Sequence, residues 1–194
     1  MKLKAILIGL LAACLLAVVG CGSNSTPSQS TNSDKDSSQS TKKDTKNADM
    51  TALTGFELDV IEDMHVAIKP VNDLVSLSNA KSFNADAVKT SAEAAAKSAD
   101  DYATKIKGYS LPSGMSSATK TKVKAALADL ATSFQQRADA AKACENVTSQ
   151  AELNTAVAKI DTDSKDSFQS FEDKMNAVHS DLGMLSSDFS KELQ

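Results

Sequence analysis

The sequence predicts an all-α fold, an antiparallel up-down bundle of four helices behind a disordered tether, and three observations point to it. From residue 50 onward apolar residues recur at steps of three and four, the period of a helix with one buried face. Aromatic residues make up 4% of the chain and Trp is absent. A core of Ala, Leu, Val, Ile and Met suits close-packed helices better than strands. Only 7 Gly and 3 Pro punctuate the 194 residues. Few turns mean long elements, and short connections between long helices make neighbours antiparallel.

The first helical run starts near Met50 and carries Phe56, Val60, Met64, Ile68, Val71 and Val75 inward. Pro70 falls inside it and is expected to kink it or divide it in two. The second run places Val88, Ala92, Ala95, Ala99, Tyr102 and Ile106 on one seam. Asn84 is suited to cap its start, Phe83 and Val88 stand at staple spacing, and Gly108 is suited to end it. Alanine at most seam positions implies close helix–helix approach. Residues 108–114 (GYSLPSG) read as a turn.

A third helix follows from about Ser117, with Val123, Leu127, Leu130, Phe134, Ala138 and Ala141 inward. The fourth opens on a capping box, Ser149 to Glu152. Its seam runs through Leu153, Val157, Ile160, Phe168, Phe171, Met175, Val178, Leu182, Leu185, Phe189 and Leu193. Between Ile160 and Phe168 the seam positions are Ser, inside the polar run 161–167, and a bend or break is expected there. Unbroken, this helix would be about 65 Å long.

The amino-terminal residues are of another kind. Lys2 and Lys4 precede an apolar run at 5–20, which reads as an export signal of residues 1–20. At 16 residues the run is shorter than the roughly 20 needed to span a bilayer. Residues 22–49 hold twelve Ser or Thr, four Lys and four Asp, and no Val, Ile, Leu or Phe. Such a segment cannot bury enough apolar surface to offset its ordering entropy, so residues 21–49 are expected to form a disordered tether. As a coil it would span about 30 Å. The bundle domain is placed at residues 50–194.

At the junction stand Val18-Val19-Gly20-Cys21, which resemble the lipobox of bacterial lipoprotein signal peptides. The resemblance implies a diacylglyceryl group on the Cys21 thiol, cleavage before Cys21, and acylation of the new amino group. Leu11-Ala12-Ala13-Cys14 matches the same short pattern. Lipidation at Cys14 would leave an apolar core of only nine residues and a mature chain starting Leu15-Leu16-Ala17. Cys21 uses the whole apolar run and cuts where composition changes, so Cys21 is the assigned site. Two or more acyl chains hold a protein stably on a membrane. The chain is therefore expected to be exported and anchored on the outer face of the cell membrane. Outer-membrane sorting is compatible with Gly22 if the cell is Gram-negative. The polar tether resembles those of Gram-positive surface lipoproteins.

With Cys14 removed and Cys21 blocked, Cys144 is the one free thiol and no intramolecular disulfide can form. Its position near the third seam fits a small buried hydrophobe. The formal charge of −4 argues against a nucleic-acid protein, which would need a basic face. No zinc, haem-attachment, phosphate-loop or hydrolase-elbow motif is present, and with 2 His in the chain an enzyme is not expected. No cofactor is assigned. The reading is a non-enzymatic binding or envelope-interaction domain.

Three features stand out within the bundle. Met64, with His65 beside it, and His179 are expected at similar heights on the first and last helices. A Met and a His so placed loosely resemble the ligands of b-type four-helix haem proteins, and the resemblance implies a haem- or metal-binding bundle as the alternative. Core filling accounts for Met64 equally well. Lys105, Lys107, Lys120, Lys122 and Lys124 bracket the 108–114 turn. The last three oppose the helix dipole at the start of the third helix. In an up-down bundle this turn lies at the tether end, where the lysines could face an envelope protein, anionic headgroups or wall polymer, or simply solvent. Arg137 follows Leu130 by one heptad and is expected to pair with an acid on a neighbouring helix or to snorkel.

Overall fold

The computed structural model describes residues 37–193. Four helices, α1 (Ser37–Leu77), α2 (Ala85–Lys107), α3 (Ser117–Ala143) and α4 (Gln150–Leu182), are followed by a short 3₁₀ segment at Phe189–Leu193. Another 3₁₀ turn, Cys144–Asn146, links α3 to α4. The signal segment, Cys14, Cys21 and residues 22–36 lie outside the described residues.

Cross-helix bonds fix the directions. Tyr102 Oη donates to the Val60 carbonyl and Ser98 Oγ to that of Ala67, so α2 runs back along α1. Ser133 Oγ donates to the Ser164 carbonyl, and Ser170 Oγ to Asp129, so α4 runs back along α3. At one end of the α1/α4 pair Glu57 meets His179, and at the other Gln150 Nε2 donates to the Leu77 carbonyl. The bundle is antiparallel, up-down-up-down. The seams close as one core: Leu53, Met64, Leu74, Ala92, Ala95, Ala99, Val123, Leu130, Phe134, Leu153 and Ile160 are all fully buried.

The end signals act as their chemistry dictates. Asn84 and Ser149 accept from the backbone N–H three residues on, as does Ser116 at the start of α3. Each satisfies a donor that the helix itself cannot. Glu152 reaches back to the Thr148 N–H at 2.7 Å.

Four expectations are corrected. The bundle does not begin at residue 50, because α1 is helical from Ser37 and takes in residues 37–49 of the expected tether. Asp49 explains this, being 3% exposed and bonded to Ser116 and Thr119. With the helix nucleated against the bundle, each further residue adds one hydrogen bond at low cost. Pro70 does not divide α1. The bond it cannot make would go to the carbonyl of Val66, a residue 71% exposed, so the loss falls on the outer side of the helix.

The run 161–167 does not break α4 either. Ser164 is fully buried, and its hydroxyl donates to the Ile160 carbonyl at 2.7 Å, so the polar seam position is satisfied within the helix. The helix stops instead at Gly183, whose φ of 67° makes a left-handed cap, a conformation in which Gly avoids a Cβ penalty. Leu185 is consequently 92% exposed rather than on the seam.

The chain beyond Gly183 folds back as a strap along the α1/α4 groove. Asn176 exchanges two hydrogen bonds with Ser187, and the Phe189 N–H donates to Glu172. The Phe189 ring packs on Phe171 at 5.1 Å between centroids. Glu192 pairs with His65, and the Leu193 carbonyl accepts from Asn72. Phe189 is 2% exposed, so Phe189→Ala is expected to cost about 3–5 kcal/mol of stability. Chemical denaturation of the two proteins measures it, and a loss below about 1 kcal/mol would mean that the strap adds no core.

Candidate functional site

At the end of the bundle where Asp49 lies, α1, the turn after α2 and the start of α3 converge. Gly114 of the turn lies against Ala52. Asp49 Oδ1 accepts from the Ser116 N–H, and Oδ2 accepts from the Ser116 and Thr119 hydroxyls at 2.7 Å each. The side chain thus caps α3 from a different helix. Burial pushes the Asp49 pKa upward, but these donors and the charge of Lys120 outweigh it, and the carboxyl is held below its ordinary value.

Beside this clasp lies a cleft of about 410 Å³, walled by α1, α3 and the end of α4, with Lys42, Lys46, Thr119, Lys122, Asp181 and Leu182 among its lining. Two of its lysines come from the stretch the sequence assigned to the tether. The cleft is open, and its anion-attracting helix terminus is already occupied by Asp49.

The five bracketing lysines are not equivalent. Lys105 bonds Asp63 on α1 at 2.6 Å, and Tyr109 Oη donates to the other oxygen of the same carboxylate. Burial works to raise the Asp63 pKa, but Lys105 and Tyr109 together keep it below the usual range. Lys122 pairs with Asp181 of α4. These two hold helices together. Lys107 and Lys124 are exposed and Lys120 is half-buried, and among the described residues none of the three joins an ion pair.

Met64 and His179 are not brought together. Met64 is fully buried in the core. His179, 1% exposed, meets Glu57 at 2.5 Å, with its Nδ1 unpartnered. Glu57 precedes Met64 by seven residues, or about 10 Å along the helix. The expected match of heights counted from wrong helix ends: α1 starts at Ser37 and α4 stops at Leu182. His65 faces out and pairs with Glu192 at 2.7 Å. Among the described residues no group of three or more His, Cys, Asp or Glu side chains is placed to hold a metal ion.

Arg137 pairs with Asp161 of α4 at 2.8 Å, the first of its two expected behaviours; with its side chain 5% exposed it does not snorkel to solvent. Cys144 is buried and free, and burial pushes its thiol up to about 11. Asp49 is the residue that sequence reasoning missed. The one available signal was its place at the edge of the first apolar seam, four residues before Leu53.

No family model, no curated protein and no solved structure matches the chain.

Asp49→Ala leaves the Ser116 N–H without its acceptor and is expected to cost about 1–3 kcal/mol. Because the folded pKa lies below the ordinary 3.8, this contribution is complete above that value and is lost as pH falls through the folded pKa. Denaturation at neutral pH and in acid is expected to show the gap from wild type closing in acid. A gap independent of pH would contradict it. For Cys144, a pKa raised from 9.0 to about 11 lowers the thiolate fraction near neutral pH about a hundredfold. An aqueous disulfide reagent is therefore expected to modify the native protein at least that much more slowly than the unfolded chain, and equal rates would show the site to be open.

Proposed function

We propose that the chain is an exported, lipid-anchored envelope protein, with acyl chains on Cys21 and a helical domain that acts by binding rather than by catalysis. The observation that carries this reading is Val18-Val19-Gly20-Cys21, set where a signal-like apolar run gives way to a Ser/Thr-rich segment. Two acyl chains on one cysteine suffice for stable attachment. Among the described residues no helix is long and apolar enough to cross a membrane; in this reading attachment is through Cys21.

Support for a binding role comes from how the polar side chains are used. Asp49, Asp63, Asp129 and His179 each bond a residue of another helix. They serve helix-to-helix contact. The outer surface of the bundle, rather than a reacting centre, is then what meets a partner.

Metabolic labelling with an alkyne fatty acid tests the anchor. Wild type and Cys14→Ala are expected to take up label in the membrane fraction, and Cys21→Ala to lose it. Label that survives in Cys21→Ala and disappears in Cys14→Ala would move the site to Cys14, and label in neither background would remove the anchor.

A further inference from the structure

We infer that the end of the bundle carrying Asp49 is a docking surface for an anionic lipid bilayer, and that it seats the domain upright on the membrane that bears its anchor. The inference rests on the lipid-anchor reading and adds to it a second contact with the same membrane.

The charge distribution is the first argument. The chain as a whole has a formal charge of −4, yet this end is basic. Lys42, Lys43 and Lys46 on α1, Lys107 at the end of α2, and Lys120, Lys122 and Lys124 on α3 lie there, against Asp44, Asp49 and Asp181, with Asp59 and Glu62 to one side beside Tyr109. The structure sorts these lysines. Lys122 is neutralised by Asp181, and Lys105 a little deeper by Asp63. Among the described residues Lys42, Lys43, Lys46, Lys107, Lys120 and Lys124 make no ion pair. Three of these six belong to the first turns of α1 and would not be presented here if residues 37–49 were unstructured.

Local helix chemistry gives the second argument. Of the α3 lysines, Lys120 stands in the first turn of the helix, where the dipole disfavours cations. Lys122 has an internal partner in Asp181 and Lys120 acts on Asp49, whereas Lys124, with Lys42, Lys43, Lys46 and Lys107, leaves positive charge at this end for an external negative surface.

Covalent geometry is the third. Ser37, where α1 begins, follows Cys21 by sixteen residues, so an anchored chain holds this end within about 55 Å of the lipid even at full extension. The opposite end lies a further ~60 Å away along the 41 residues of α1. A lysine near an anionic bilayer contributes by long-range attraction that salt screens, so six unpaired lysines at the tethered end give weak but additive docking. Each is worth roughly fivefold in the docking equilibrium.

Lysine-reactive footprinting of the full-length lipidated protein tests this. The protein is reconstituted into an excess of vesicles of phosphatidylcholine alone or of phosphatidylcholine with phosphatidylglycerol, and read by mass spectrometry. On the anionic vesicles at low salt the six basic-end lysines are expected to lose reactivity severalfold and to regain it at high salt. Lys89 and Lys159, on other parts of the bundle, act as internal controls and should not change. In a Lys120→Gln, Lys124→Gln variant, protection of Lys42, Lys43 and Lys46 is expected to fall, with docking weakened up to about 25-fold. Reactivity indifferent to lipid charge overturns the inference, and so does uniform protection of every lysine. Protection by soluble polyphosphate but not by the anionic vesicles overturns it in favour of a wall polyanion. Failure to co-float with phosphatidylcholine vesicles would sink the anchor alone, leaving the footprint on the anionic vesicles to judge the basic end.

Discussion

The close approach allowed by the alanine seam of α2 is the constraint on which the rest of the bundle depends. Ala92, Ala95, Ala99 and Ala103 are fully buried, and side chains this small let helix backbones come near one another. Tyr102 is the one large group in the middle of that seam, and it is used in both directions. Its ring stands edge-on to Phe134 of α3 at 4.6 Å, while its hydroxyl bonds the Val60 carbonyl of α1 at 2.9 Å. Burial drives this phenol far above its ordinary pKa, so it stays a neutral donor. With α1 and α3 gathered on α2, the opposite groove between α1 and α4 is left to be filled. Phe189 and the Glu57–His179 pair occupy it.

Much of this architecture is legible in the residues. The seams of α2 and α3 are buried at every expected position, because regular spacing and small residues leave no competing face. Asn84, Gly108 and Ser149 announce helix ends by local chemistry that tertiary structure does not override. Where the structure departs from the pattern, tertiary packing satisfies what the local signal leaves open. Ser164 looks like a break until its hydroxyl is seen to bond within the helix. Leu185, Phe189 and Leu193 keep the period of α4, so their pattern hides the stop at Gly183. Residues 37–49 lack an apolar seam and read as a tether, yet they are helical and lead into the buried carboxylate of Asp49.

The candidate site was legible in part. Its location follows from topology, since the turn after α2 must lie beside the start of the bundle. Which lysines are engaged does not follow, because Asp63 and Asp181 come from helices far away in sequence. The same reason defeats the pairing of Met64 with His179. Heights on antiparallel helices depend on where each helix ends, and an error of a dozen residues at either end shifts the register by several turns. Polar residues that bridge helices were thus the least readable part of the chain, and they decide which charges remain for a partner.

The early start of α1 also has a mechanical meaning. A pull arriving through the preceding residues runs along the α1 axis, and at Asp49 it meets the clasp onto Ser116 and Thr119. The twelve residues before it, 37–48, occupy about 18 Å as helix and would cover about 42 Å if drawn out straight. Their side chains from 42 to 48 are exposed, so unwinding them costs little core. Drawn out straight, the first turns of α1 would therefore release some 24 Å of chain before the clasp at Asp49.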